Sequence, residues 1–444
     1  MAASESLSEQ AAGQLPRRLG LYSAVAVVIG IMIGSGIFRV PSGVATEAGS
    51  AGAMLLVWVA GGLLTLCFAL LLAELGAMYP HAGGLYGFVR AAWGPLPAFV
   101  FGWTYLLINP AGWAAIAMVF AEYLGKFVPL SEPGRRGVAL GLILALAVTN
   151  YHSVRLGAAI QRAFSSAKLL ALLGLALFIL ALGDPAGGTF AEPISWLPSS
   201  AAGFLLALVL VLWAYDGLAT FCSMIGEVRE PQRNVPRALL IGIGLVMMLY
   251  LAVNVAYLYV LPLDVIARSP LVAADASARV LGAGAAAVIS ALVMISTLGA
   301  VACSSMADPR VFFAMARDGN FFATIGRIHP RFETPHVAII AATAIACAYV
   351  SIRSFEQFAA TFVLGLIPMY MLATLGVARL RRSRPDAPRP YRCPAYRLVL
   401  VLYVAAATTV LASALIQTPE IAAVNLGLSA AGIPVYYAWK RLRR

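Results

Sequence analysis

The sequence predicts an all-α membrane protein with 12 transmembrane helices, and three observations carry that prediction. Of 444 residues, 61% are hydrophobic and only 11% are charged, whereas a soluble domain carries about 25% charged residues. Apolar runs of about twenty residues, the length that crosses a bilayer core, recur along the chain. With the N-terminus placed in the cytoplasm, twenty-three of the 31 lysines and arginines fall in cytoplasmic segments. Six fall in external loops or at the adjoining span ends, and Arg39 and Lys168 are counted within spans. That asymmetry follows the positive-inside rule. It puts both termini in the cytoplasm, which requires an even number of spans.

Residues 1–18 form a polar cytoplasmic tail with no apolar core to serve as a cleavable signal. The first span, about 20–46, then acts as the insertion signal. Further spans follow at about 51–78, 94–125, 135–153, 163–183, 199–227, 235–262 and 280–306. The last four lie at about 336–353, 356–380, 396–416 and 420–439, with little more than Arg353 and Ser354 dividing the ninth from the tenth. The longest cytoplasmic loop runs from about Asp308 to Pro335 and mixes Arg317 and Asp318 with Phe312, Phe313, Phe321 and Phe322. It reads as an amphipathic helix on the membrane surface or as a cytoplasmic gate element. No soluble domain fits between spans. The chain divides into the tail, a core over 19–380, and a final unit over 381–444 comprising a basic loop, two helices and a basic tail.

Several function classes drop out. The net charge of +12 is explained by loop topology rather than by nucleic acid. Cys67, Cys222, Cys303 and Cys347 lie in spans and Cys393 in a basic loop, which is neither a disulfide framework nor a zinc site. His81, His152, His329 and His336 map to loops or span edges and offer no metal site or catalytic pair. No nucleophile, phosphate loop or cofactor motif stands out, so no enzyme and no cofactor are expected.

The informative features are two breaks inside spans. The first is Ile33-Gly34-Ser35-Gly36-Ile37; the second is Trp213-Ala214-Tyr215-Asp216-Gly217. Glycine weakens a helix by roughly 1 kcal/mol relative to alanine. Unwound backbone in a bilayer must be buried in protein or line a cavity. Paired breaks of this kind point to a transporter's substrate site. At the first break, free N–H groups and the positive end of the restarting half-helix suit a carboxylate, and Ser35 adds a hydroxyl. Close helix packing through Gly30, Gly34 and Ser35 accounts for the same residues equally well. At the second, Asp216 either attracts an ammonium or caps the restarting half-helix; capping is the simpler role. The carbonyls near Trp213 and Ala214 would accept from an ammonium. A carboxylate site facing an ammonium site describes an α-amino acid.

Lys168 lies near the cytoplasmic end of the fifth span. It either snorkels to the interface or stands as a fixed cation in place of sodium. Asn109-Pro110 interrupts the third span and either places the Asn109 amide in the cavity or kinks the helix. Arg39 faces the external vestibule or pairs with Glu47. Glu74 and Glu227, at span ends, are expected to hold loops.

With these residues in view, the chain resembles the amino acid–polyamine–organocation superfamily, in particular its L-amino-acid transporter branch in a bacterial-type form. The likeness covers nearly the whole chain. It runs through Val28 to Phe38, Ala73 to Pro80, Gly83-Gly84, Gly102-Trp103, Tyr215-Asp216-Gly217 and Pro231 to Pro236. It continues through Ala316 to Gly319, Arg389-Pro390-Tyr391, Thr418-Pro419-Glu420 and Gly432 to Tyr437. The resemblance implies a LeuT-type fold, with helices 1–5 and 6–10 as inverted repeats, helices 1 and 6 broken, and two peripheral helices. It implies a substrate carboxylate at Ser35 and Gly36, an ammonium near Ile33, Trp213 and Ala214, and Trp213 as an aromatic lid. It assigns Lys168 to the family's fifth-helix lysine. Leu218 departs from the branch, which commonly has an aromatic residue there, and Arg39 replaces a usually uncharged residue. Eukaryotic members bond to a heavy subunit through a cysteine after helix 3. The segment from Lys126 to Gly137 has none, so no disulfide-linked heavy subunit is expected.

The expectation is a sodium-independent antiporter of L-amino acids in the cell membrane, working by alternating access. Its rivals are a proton-coupled symporter or uniporter and, in a different class, an amino acid sensor that transports nothing.

Overall fold

Eighteen α-helices and a few short 3-10 turns make up the computed structural model, which describes residues 17 and 19–442 apart from 82, 153, 192, 333, 353 and 354. Residues 1–16, 18, 443 and 444, and with them most of the expected N-terminal tail, lie outside the described residues, as does the Arg353-Ser354 divide. Side chains over 154–167, including Arg155 and Arg162, are also outside them.

The first expected span is two helices, α1 (Leu21–Met32) and α2 (Gly36–Ala48), bent by 44° across the break. The next three are α3 (Ala51–Met78), α4 (Leu85–Trp93) and α5 (Pro95–Leu124). Serine opens α3 because Ser50 Oγ accepts from the Ala53 N–H at 3.2 Å, satisfying one free donor of the first turn. Helix α5 runs through Pro110 without a break. Then come α6 (Glu132–His152), α7 (Val154–Leu182) and the second interrupted pair, α8 (Ala201–Ala214) and α9 (Leu218–Ser223). Gly217 turns this break with φ +139, a conformation that glycine alone adopts readily.

Helices α10 (Pro231–Val260), α11 (Leu263–Arg268), α12 (Val272–Leu281), α13 (Ala283–Ala307) and α14 (Pro309–Arg317) follow. The last four are α15 (His336–Ile352), α16 (Phe355–Ser383), α17 (Tyr396–Gln417) and α18 (Pro419–Leu442). Among the described residues, eight helices are long and apolar enough to cross a membrane, or nine with the bent pair taken as one span. The protein is an all-helical membrane protein. The one β-type contact among the described residues is a bridge between Leu19 and Val228.

Burial follows position in the bundle. The most apolar window of α5 is 83% buried, whereas those of α17 and α18 are 28% buried. Helix α5 is therefore central, and the last two helices are peripheral. Small residues permit the close approaches: a Cβ on Gly62 would meet the Met247 side chain at 2.9 Å, where α3 packs on α10. Leu19 and Trp439 sit at one end of the bundle. Leu19 N–H donates to Glu227 O at 2.9 Å. Trp439 stacks on Phe99 (6.2 Å) and meets Phe322 edge-on (6.5 Å).

The expected surface helix after Asp308 is corrected. Helix α14 buries Pro309, Arg310, Val311, Phe312 and Met315. It packs against α4, α5 and α15, because its apolar residues find protein rather than lipid; Phe312, for example, lies 6.2 Å from the Tyr105 ring.

Candidate functional site

The two breaks meet at the centre of the bundle. Helix α1 ends at Met32 with Ile33 as its C-cap, and α2 restarts at Gly36 with Ser35 at its N-cap. Restarting leaves donors free: the N–H groups of Ser35, Gly36 and Ile37 have no hydrogen-bond partner among the described residues. Ser35 Oγ is also buried without a partner. On the other side, the chain leaves α8 at Ala214, and Asp216 N–H turns back to Trp213 O at 3.2 Å.

A cavity of about 50 Å³ lies between these ends, lined among others by Gly34, Ser35, Gly36, Asn109, Trp213, Ala214 and Asp216. Of the eleven residues expected to surround a substrate, these seven line it. Ile33, Ile37, Tyr215 and Gly217 do not. Ile33 and Ile37 are fully buried in the apolar core. Tyr215 packs its ring edge-on against Trp58 at 5.8 Å. Gly217 faces a second, apolar cavity of about 60 Å³, lined also by Leu218, Phe68 and Tyr370 and reached by Asp216 and Phe362.

Lys168 is buried and reaches the first break. Its Nζ donates to Ile33 O at 3.2 Å and to Gly30 O at 3.4 Å. Ser296 Oγ donates to the same Ile33 carbonyl at 3.4 Å. A burial of this depth excludes snorkelling, which would leave the ammonium in water.

Asp216 does not cap the restarting helix. Gly217 holds the N-cap position of α9, and the Asp216 carboxylate instead accepts from Tyr370 OH at 3.0 Å. Arg39 is likewise corrected: Nε lies 3.4 Å from Glu122 Oε2 on α5. It does face an open vestibule of about 570 Å³ that it shares with Glu47 and Arg268. Trp213 and Phe362 meet edge-on at 5.0 Å and line the inner cavity. Leu210, one turn before Trp213, and Leu364, just beyond Phe362, line the vestibule, so the aromatic pair stands between the two spaces.

The end of the bundle that carries Leu19 and Trp439 is latched. Arg310 Nη2 lies 2.9 Å from Glu227 Oε1, Arg229 N–H donates to Leu19 O at 2.8 Å, and Arg90 pairs with Asp318. Glu74, buried, pairs with Arg381 and Arg389 and accepts from the Cys393 N–H at 2.8 Å. Both glutamates thus hold loops, as their positions at span ends suggested.

Two residues escaped the sequence reading. Tyr250 OH lies 2.7 Å from Met32 O and 3.1 Å from Ala214 O, so one hydroxyl ties together the ends of α1 and α8. Nothing in the sequence marks that tyrosine. Asp308 is buried beneath the cavity wall. An acid between an apolar run and Pro309 was a signal, but it reads more simply as the start of a loop. Among the described residues no cluster of His, Cys, Asp or Glu could hold a metal ion. His152, His329 and Phe332 gather around Tyr151 through ring contacts.

Comparison with known proteins agrees with this architecture. The amino acid permease family profile matches residues 19–437. The b(0,+)-type amino acid transporter 1 of Mus musculus is 32% identical over 88% of this chain and 81% of its own length. The serine/threonine exchanger SteT of Bacillus subtilis is 28% identical over 96% of this chain and 98% of its own. The large neutral amino acids transporter small subunit 2 of Mus musculus is 32% identical over 95% and 81%.

Proposed function

From the premise that this chain belongs to the amino acid permease family, we propose that it carries L-amino acids across the cell membrane by alternating access, without sodium and as an exchanger. The observation that carries this reading is the orphaned donor set at the first break. Ser35 Oγ and the N–H groups of Ser35 and Gly36 are left without partners at residues that line a cavity, which is the chemistry of a carboxylate site at a helix N-terminus. The ammonium goes to the opposite wall, at the carbonyls of Trp213 and Ala214. The Ile33 carbonyl already accepts from Lys168 and Ser296, so it contributes less.

Lys168 stands in for a sodium ion: a fixed cation on the carbonyls of Gly30 and Ile33 holds the break open without a cofactor. Residues 19–380 form two inverted repeats of five spans, and 381–444 add a loop and two peripheral helices, giving twelve spans with both termini in the cytoplasm. The aromatic pair Trp213–Phe362 covers the substrate, and the Glu227–Arg310 latch closes the cytoplasmic side. The protein works without a disulfide-linked heavy subunit.

Counterflow into proteoliposomes tests the proposal. Vesicles preloaded with an amino acid take up labelled amino acid without sodium, and empty vesicles do not. Uptake into empty vesicles driven by external acid would replace exchange with proton coupling, and binding without any flux would leave a sensor.

A further inference from the structure

Asp308 is the one residue between α13 and α14, and Pro309 follows it. The two helices form one continuous apolar stretch, Gly284–Arg317. A proline inside a helix donates no N–H to the preceding turn, and the residue before a proline favours extended backbone. Asp308 is nevertheless helical, with φ −62 and ψ −38. The local sequence favours a bend here, so the helical form draws on side-chain partners. Asp308 Oδ1 accepts from Tyr105 OH at 2.8 Å and lies 3.5 Å from Thr220 Oγ1. Its Oδ2 accepts from Trp113 Nε1 at 2.8 Å and from the Asn109 amide nitrogen. Tyr105, Asn109 and Trp113 are spaced four apart on α5 and share one face of it. The buried carboxyl group thus pins the junction to that helix.

The ligand cavity lies on one side of the junction and the cytoplasmic latch on the other. Asn109, Trp113 and Thr220 line the cavity, as does Ser304, one turn before Asp308. Two residues beyond Asp308, the buried Arg310 sets Nε and Nη2 each 2.9 Å from Glu227 Oε1. The Ala307 carbonyl lies 3.3 Å from Ser223 Oγ, and Glu227 O accepts from the Leu19 N–H. If Asp308 extends, α14 swings about Pro309 and carries Arg310 away from Glu227.

We infer that Asp308 and Pro309 form a hinge that couples the cavity to the cytoplasmic latch. The hinge stays helical, and the latch shut, while Asn109 and Trp113 turn their donors to Asp308. A ligand that draws either donor into the cavity releases it. Asp308 acts as a positioning residue, because it holds Arg310 on Glu227 without touching the ligand. The ligand step rests on the amino acid transport reading above; the hinge itself does not.

Hydrogen–deuterium exchange over residues 223–229 and 309–317 tests this, with and without a mixture of the common L-amino acids. The latch of the unaltered protein should exchange slowly alone and faster with the mixture. Asp308→Ala should exchange about tenfold faster with no ligand, the factor of one hydrogen bond. Asp308→Asn should stay slow, because its oxygen can face Trp113 and Asn109 while its NH2 donates to the two hydroxyls. Adding Pro309→Ala to Asp308→Ala should slow the latch again, since it restores an N–H to the helix and removes the preference for a bend. A packing role would gain nothing from that second change. Tyr105→Phe, which removes one donor, should also speed exchange and serves if Asp308→Ala does not insert. Slow exchange in both Asp308→Ala and Tyr105→Phe overturns the hinge, as does fast exchange that Pro309→Ala leaves unchanged. A mixture that raises the melting temperature yet leaves latch exchange unaltered overturns the coupling. Absence of counterflow in the unaltered protein overturns the transport reading, and the ligand-free arms still decide the hinge.

Discussion

Gly36 and Ala214 touch: a Cβ built on Gly36 would lie 2.5 Å from the Ala214 Cα and 2.6 Å from its Cβ. The two broken helices meet backbone to backbone at this point, and no flexible side chain is available to yield. Gly36→Ala should therefore weaken amino acid binding, and Gly36→Leu should abolish it while the protein still inserts. Ligand-induced thermal stabilisation measures this. A leucine variant stabilised as fully as the unaltered protein would remove Gly36 from the site.

Lys168 donates to two carbonyls of α1, so its loss should free the first break. Lys168→Ala should insert but transport at least tenfold more slowly, a factor in line with losing one charge-assisted hydrogen bond. No sodium requirement should appear. Transport at an unaltered rate, measured with and without sodium, would show that the lysine only fills space.

The Tyr370–Asp216 hydrogen bond links α16 to the second break. Tyr370→Phe should cost about 1.5–3 kcal/mol, the usual net worth of a hydrogen bond to a charged group. Asp216→Asn should weaken binding by more than tenfold with a smaller change in melting temperature, since the carboxylate caps no helix. Melting and equilibrium binding on the same sample separate the two effects. A large fall in melting temperature with unchanged affinity would return Asp216 to a structural role.

Arg39 and Glu122 join α2 to α5 beside the vestibule, each side chain 17% exposed. A double-mutant cycle with Arg39→Gln and Glu122→Gln should give a coupling of about 1 kcal/mol, at the upper end for exposed pairs. Exchanging the two charges should restore part of it. A coupling indistinguishable from zero in low salt would show that the pair does not hold α2 in place.

Cys393 lies in the loop before α17, and burial followed by the nearby Glu74 carboxylate pushes its thiol up to about 11. The thiolate is the reactive form, so at pH 8 its maleimide labelling should run roughly two orders of magnitude slower than that of an ordinary thiol. Raising the pH to 9 should accelerate labelling without bringing it to the rate of the denatured chain. Fast labelling at pH 8 in the folded protein would contradict the buried Glu74–Cys393 contact.

Much of the architecture was legible because apolar periodicity is local. Each of the twelve apolar segments read from the sequence falls on a helix, and the 51–78 segment matches α3 to the residue. The breaks were legible for the same reason: Gly34, Gly36 and Gly217 lower helix propensity where they stand. What lay beyond the sequence was pairing. Arg39 was expected to face the vestibule or to pair with Glu47, which is close in sequence; it lines the vestibule, but its ion pair is with Glu122 on another helix. Asp308 was assigned to a loop because its donors, Tyr105, Asn109 and Trp113, come from a helix about two hundred residues earlier.

The sequence by itself determined the membrane class, the helical segments, both breaks and the residues that carry the family likeness. All of these depend on composition and spacing over a few turns. Only the tertiary structure decided what each buried polar group answers to. It set Lys168 against the carbonyls of α1, Tyr250 across the ends of α1 and α8, and Asp308 beneath Asn109. Away from water a polar side chain must find its partner within the protein, and helix packing rather than sequence neighbourhood decides which partner is in reach.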